Sequence, residues 1–101
     1  MANLSDIAAN TPITANGDYD AVMQEHNMNI NIGGTWDTAQ VDILEVNPID
    51  TTEVAPVTGG AAILSNFTDF YEGAKGTTVR FTVSSVGAST SLFISTLPAR
   101  G

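Results

Sequence analysis

Residues 27–46 read NMNINIGGTWDTAQVDILEV, and the pattern in this stretch decides the fold class. In its first six residues, Met28, Ile30 and Ile32 alternate with asparagines. Successive side chains of a β-strand point to opposite faces of the sheet, so this alternation is typical of a strand with one buried face. We predict a strand over residues 19–32 that ends with this segment.

Two glycines follow the alternating segment and predict a turn at residues 33–34, because glycine readily adopts positive φ. The next strand is predicted at residues 38–46. Its apolar residues change face after Ile43: Val41 and Ile43 share one face, and Leu44 and Val46 share the other. This switch indicates either a β-bulge or a strand that is covered on both faces.

β-Branched residues dominate the other periodic segments, which favours strands over helices. In the segment TTVRFTVSS, Val79, Phe81 and Val83 are predicted to point inward, and Arg80 outward. The sequence VGAS is predicted to turn this strand into a hairpin with the last one. The further predicted strands are residues 53–57, 61–71, 77–85 and 92–97.

About seven short strands with turn signals between them describe an all-β fold. We predict a single-domain β-sandwich of immunoglobulin-like or jelly-roll type. The sandwich is predicted at residues 17–101, and residues 1–16 are predicted to form an N-terminal extended arm or an edge strand. The arm, before about Thr11, is expected to be mobile in the isolated protein and ordered in an assembly.

The composition indicates a small domain with an unusually neutral surface. The chain has 101 residues, enough for one core, and only 14% of them are charged, against about 25% in typical soluble domains. Short neutral side chains lose little entropy when a partner buries them, which favours a subunit of an assembly. The alternative explanation is the general threonine content of β-rich proteins.

The formal net charge of −8 argues against nucleic acid and against anionic membranes as partners. It is compatible with a basic partner surface, with divalent cations or with solubility alone. Because the chain has no cysteine, disulfides and thiolate chemistry are excluded. The first residues lack the pattern of a signal peptide, and no apolar run reaches the length of about 18 residues that a membrane span needs, so we expect synthesis in the cytoplasm.

Few residues suggest catalysis or metal binding. His26 is the only histidine, and no nucleophile can be nominated beside it. Asp18 with Asp20, and Asp69 with Glu72, are carboxylate pairs beside predicted turns, where Ca²⁺ could bind, but each pair supplies too few ligands. Solvated turn acids are the alternative. We therefore predict no enzymatic activity, no cofactor and no metal.

Trp36, Asp37 and Asp42 are the candidate site residues. Trp36 could stack on a sugar ring, with Asp37 or Asp42 as a polar anchor. The alternative is that Trp36 packs at the end of the sheet or against a neighbouring molecule, and that the acids form a solvated or partner-facing stripe.

Three segments resemble small virion proteins of tailed bacteriophages. They are GGTWDTAQVDILEV, then EVAPV, and then KGTTVRFTVSSVGASTSLFISTL, which together extend over residues 33–97. The resemblance implies an accessory structural subunit, of head decoration or fibre type, without catalytic residues. This chain departs from the pattern in the loop IDTTEVAP and in its N-terminal arm.

The resemblance implies a head decoration protein that binds the outer surface of the capsid and is located in the virion. Its partners would be the major capsid protein or other virion proteins, with a homo-oligomer as a further expectation. The alternative function is a carbohydrate- or host-surface-binding module of a fibre or spike, which would use Trp36.

Overall fold

The computed structural model describes residues 2–3, 12–23, 25–50, 52–57 and 59–98. These residues form an all-β structure with eight strands. The strands are β1 (Ala2–Asn3), β2 (Gly17–Val22), β3 (Asn27–Thr35), β4 (Gln40–Val46), β5 (Val54–Pro56), β6 (Phe67–Glu72), β7 (Thr78–Ser84) and β8 (Ser91–Pro98). The predicted all-β class is confirmed.

The strands form two sheets that share one core. The five-stranded sheet has the order β1-β2-β7-β4-β5, and the three-stranded sheet has the order β6-β3-β8. Neighbouring strands are antiparallel, except that β1 is parallel to β2. Since apolar residues of both sheets belong to one buried cluster, the arrangement is sandwich-like.

The predicted inner faces are confirmed in three strands. Met28, Ile30 and Ile32 of β3 are buried, and so are Val41 and Ile43 of β4. In β7 the alternation is equally regular, with Phe81 fully buried between Val79 and Val83. The period of two therefore located the core correctly, because each of these strands has one face against the opposite sheet.

The predicted continuous strand over residues 19–32 is wrong. It comprises parts of β2 and β3, which lie in different sheets. Between them, Met23 is buried and its backbone N–H donates to the Thr77 carbonyl at 2.8 Å. The chain changes layer here, and the exposed Glu25 interrupts the apolar alternation.

The predicted turn at residues 33–34 is also wrong, because β3 continues through both glycines to Thr35. Gly34 has a φ of 125°, and a Cβ on it would collide with the backbone carbonyl of Ser91 on β8. Glycine is needed here for the close approach of two strands. The turn follows three residues later, where the Ala39 N–H donates to the Trp36 carbonyl at 2.8 Å.

The predicted hairpin between the last two strands is wrong as well. β7 pairs with β2 and β4, whereas β8 pairs with β3 in the other sheet. The segment between them crosses from one layer to the other instead of reversing within a sheet. Both strands alternate regularly because each has its inner face in the same core, so periodicity alone does not reveal which sheet holds them.

The predicted strand over residues 61–71 is shorter than expected. Strand β6 begins only at Phe67, and Ile63 instead forms an isolated bridge with Val41 of β4. The switch of apolar face in β4 is not a bulge, because its pairing with β7 runs without interruption from Gln40 to Glu45. Val46 is 3% exposed on the face opposite Val41 and Ile43, so β4 has buried apolar side chains on both of its faces.

The predicted N-terminal arm falls largely outside the described residues, which omit residues 1 and 4–11, as does most of the stretch expected to be mobile. The backbone of Ala2–Asn3 pairs with Tyr19 and Asp20 of β2. Ile13 is 4% exposed, and its backbone exchanges two hydrogen bonds with Leu92, at 2.7 and 3.0 Å. The chain therefore joins the core before β2 begins.

Candidate interaction surface

Trp36 lies directly after β3 and belongs to the core. Its side chain is 9% exposed, and the indole N–H donates to Asn66 Oδ1 at 2.9 Å. A buried indole N–H needs such an acceptor. This placement leaves little of the ring for a ligand in the single chain and gives Trp36 a packing role.

Asp37 joins two connections between strands. It has a φ of 54° in the turn between β3 and β4, and its carboxylate accepts from the Ser89 N–H at 3.2 Å. A Cβ on Gly87 would overlap that carboxylate. Beside it, Thr38 Oγ1 donates to the Ser85 carbonyl at 2.7 Å. Asp37 thus binds the segment that carries the chain from β7 to β8.

Asp42 takes part in a different network from Trp36 and Asp37. It lies on the outer face of the five-stranded sheet, where its carboxylate accepts from Gln40 Nε2 at 3.0 Å and from the Ala62 N–H at 2.8 Å. The structure therefore gives each of the three candidate residues an intramolecular role, and it divides them between separate places.

The other acids on this outer face are bonded in the same way. Asp20 accepts from Arg80 Nε at 3.0 Å, and Asp18 accepts from Thr82 Oγ1 at 2.8 Å. The hydrogen bond that Arg80 donates to Asp20 raises the pKa of Arg80 further above its ordinary value. In the register of β2, β7 and β4, Thr82 lies between Asp18 and Asp42. The outer face of the five-stranded sheet is therefore an acidic face with its charges engaged.

The outer face of the three-stranded sheet is chemically different, and we call it the neutral face. Its exposed aromatic side chains are Phe70 on β6, at 69%, and Phe93 on β8, at 45%. Asn31 Nδ2 donates to Thr68 Oγ1 across the two strands at 2.7 Å. The register places these described residues on this face: Asn27, Asn29, Asn31, Thr35, Thr68, Phe70, Glu72, Ser91, Phe93 and Ser95.

The exposure of Phe70 was not predicted, because the predicted strand over residues 61–71 was not divided into an inner and an outer face. The signal that could have located the neutral face was the row of asparagines opposite Met28, Ile30 and Ile32. Once β6 pairs with β3, Phe70 lies opposite Asn29 on that row. Pairing, which a single sequence does not give, decides the face.

The edges of the two sheets meet on one side of the molecule. Tyr71 of β6 donates its hydroxyl to Glu45 Oε2 of β4 at 2.6 Å. Burial, followed by this hydrogen bond, raises the pKa of Tyr71 above its ordinary value. The pair joins the two sheets on the side where β5 and β6 are the edge strands.

Two further candidate residues, His26 and Asp69, contact the backbone of nearby residues. His26 Nδ1 lies 3.3 Å from the Gly73 carbonyl oxygen, and Asp69 accepts from the N–H of Phe70 at 2.8 Å. Within the described ranges, no group of three or more histidine, aspartate or glutamate residues could hold a metal ion. Among the residues whose structure is described, no helix has the length and apolar character needed to cross a membrane.

In comparisons with known proteins, no family model, no curated protein and no solved structure matches this chain.

Proposed function

We propose that the chain is a non-enzymatic structural subunit of a bacteriophage virion, a head decoration protein that binds the outer surface of the capsid. The observation that carries the proposal is the neutral face, with Phe70 and Phe93 exposed among asparagine, threonine and serine side chains. The phage-like segments at residues 33–97 supply the class of assembly. The finer fold type belongs to the same proposal: an immunoglobulin-like or jelly-roll sandwich with an N-terminal arm.

The neutral face suits burial in an assembly for two physical reasons. Asparagine, threonine and serine have few rotamers to lose, and a face with so little charge costs little to desolvate. Exposed aromatic side chains contribute most of the binding energy at many protein interfaces. The major capsid protein, another virion protein or a second copy of the chain could cover this face in the virion.

Co-sedimentation with particles that lack the protein tests this proposal. We expect the wild-type chain to sediment with such particles and the double variant Phe70→Ser, Phe93→Ser to stay in solution. The matched control is Leu64→Ser, because Leu64 is also an exposed apolar residue, at 61%, but lies outside the strands. Failure of the wild-type chain to sediment at any salt concentration would contradict the proposal.

The alternative function is a carbohydrate- or host-surface-binding module of a fibre or spike. The same face favours it, because exposed aromatic rings stack on sugar rings while amides such as Asn29 and Asn31 bind hydroxyl groups. A glycan array separates the two functions. A signal that Phe70→Ala abolishes would favour the alternative, and Trp36→Phe is the control that changes a buried aromatic side chain instead of an exposed one.

A further inference from the structure

A groove lies between β5 and β6, the edge strands on the side of the molecule where Tyr71 and Glu45 join the two sheets. In the described structure, β5 pairs only with β4, and β6 pairs only with β3. The space between these edges, which we call the β5–β6 groove, has a volume of ≈ 410 Å³. It is lined by Glu45, Pro56, Val57, Phe70, Tyr71 and Glu72.

A second groove extends this one along the other part of the β4–β5 hairpin. It has a volume of ≈ 330 Å³, and Glu45 lines both grooves. Glu53 and Val54 line the extension. Apolar and acidic groups therefore follow the course of β5, which itself is an extended and exposed edge.

The negative charges along the groove favour a positively charged occupant. Glu45, Glu53 and Glu72 are all exposed, so a cation can approach them without displacing core side chains. The Tyr71 hydroxyl holds the Glu45 carboxylate through Oε2, and a carboxylate can accept further hydrogen bonds through its other lone pairs. An aromatic ring beside carboxylates also favours a guanidinium or an ammonium group.

The shape of the groove selects an extended occupant. A strand edge offers backbone groups that an extended peptide can pair with, while side-chain pockets give specificity. The two volumes are large enough for a few side chains and too small to enclose a folded domain.

We propose that the β5–β6 groove binds an extended, basic segment of a partner protein, with a lysine or arginine side chain between Glu45 and Glu72. This inference rests on the proposed virion function and names the partner chemistry: the segment belongs to a protein of the shell. Pairing with the free edge of β5 is confined to the backbone of Val54 and the carbonyl of Pro56, because proline has no N–H to donate, and the glutamates supply the charge preference.

Peptide binding to the full chain tests the proposal. The probe is a short synthetic peptide in which arginine alternates with threonine, and its counterpart has glutamate in place of arginine. We expect the arginine peptide alone to bind, to shift the backbone amide NMR signals of β5 and β6, and to weaken as salt rises.

Two variants identify the groove. We expect Glu72→Gln and Phe70→Ala each to weaken the arginine peptide roughly tenfold, a change of about 1.4 kcal/mol in binding free energy. Asp18→Asn removes the same charge from the acidic face and should leave the affinity unchanged. Equal binding of the glutamate peptide, equal loss in Asp18→Asn, or no binding of either peptide would overturn the proposal.

Co-sedimentation separates this inference from the proposed function. If the Glu72→Gln variant still sediments with particles while the arginine peptide fails to bind, the groove proposal is wrong and the decoration proposal stands. If the peptide binds as expected but the chain ignores particles, the groove stands and the decoration proposal is wrong.

Discussion

The two sheets have similar inner faces and contrasting outer faces. On the acidic face, Asp18, Asp20 and Asp42 are bonded to neighbouring strands and loops. On the neutral face, Phe70 and Phe93 point into solvent. Charge alone would suggest that the acidic face is the functional one. Its carboxylates already accept hydrogen bonds within the molecule, whereas the two phenylalanine rings of the neutral face are exposed, and we therefore propose partner binding on the neutral face and along the β5–β6 groove.

The largest expected effect separates the inner from the outer aromatic residues. Phe81 is 0% exposed and Phe70 is 69% exposed. We expect Phe81→Ala to lower the free energy of unfolding by about 3–5 kcal/mol, because it leaves a cavity in the core. Phe70→Ala should change it by less than about 0.5 kcal/mol.

Denaturant titration of both variants measures these two changes. A cost below about 1 kcal/mol for Phe81→Ala would mean that β7 has its other face inward. A cost above about 2 kcal/mol for Phe70→Ala would mean that its ring is buried in solution, which would contradict the neutral face as a free surface.

The next effect compares one acid on each outer face. Asp20→Ala removes the carboxylate that pairs with Arg80. Arg80 is only 7% exposed. We expect a loss of about 1–3 kcal/mol, because a nearly buried guanidinium is left without its carboxylate. Glu72→Ala on the neutral face should cost less than about 0.5 kcal/mol.

Unfolding at low and high salt checks this comparison. The Asp20–Arg80 pair is nearly buried, so its contribution should fall only slightly as salt rises. Equal costs for the two acids would show that the acidic face is no more tightly connected than the neutral one.

The pair that joins the sheets gives a pH-dependent effect. We expect Tyr71→Phe to cost about 1–2 kcal/mol at neutral pH, because it removes the hydrogen bond to Glu45. The pKa of Tyr71 is raised in the folded state from its ordinary value of 10.0. The stabilisation is therefore complete below that ordinary value and is lost as pH rises through the raised folded-state pKa.

Denaturant titrations at neutral pH and above about pH 10 follow this loss. The wild-type chain should lose stability with alkali more steeply than Tyr71→Phe, and Tyr19→Phe is the control for the second tyrosine. If the Tyr71→Phe and wild-type curves run parallel, the Tyr71–Glu45 bond does not join the sheets in solution.

The sequence predicted which face of a strand is buried, but it did not predict which strands pair with each other. The period of two correctly placed Met28, Ile30 and Ile32 inside because burial of one face is a local property of a strand. It did not predict that β7 and β8 lie in different sheets, because a crossing and a hairpin leave the same alternation. The face of Phe70 was not predicted either, because its exposure depends on the position of β6 at the edge of a sheet.

Trp36 illustrates the limit for the candidate site. A lone tryptophan beside two glycines fits both a stacking platform and a packed corner, and the chemistry of the residue cannot separate them. The hydrogen bond to Asn66 and the core residues around the ring identify Trp36 as a packed residue. Trp36 and Asn66 are 30 residues apart in the sequence, so the local spacing of residues does not predict this contact.

The smallest expected effect is the difference between two threonines, one on each outer face, whose hydroxyl groups each form one cross-strand hydrogen bond. Thr82 Oγ1 donates to Asp18 at 2.8 Å on the acidic face, and Thr68 Oγ1 accepts from Asn31 at 2.7 Å on the neutral face. Valine has nearly the shape of threonine and suits a strand equally, so Thr→Val removes little besides the hydroxyl.

We expect Thr82→Val to cost about 0.5–1.5 kcal/mol of unfolding free energy, since a part-buried carboxylate loses a donor. Thr68→Val should cost less than about 0.3 kcal/mol, because water replaces the exposed bond to Asn31. Denaturant titration of the two variants beside the double variant measures both costs, and a larger loss for Thr68→Val would reverse the assignment of the engaged and the free face.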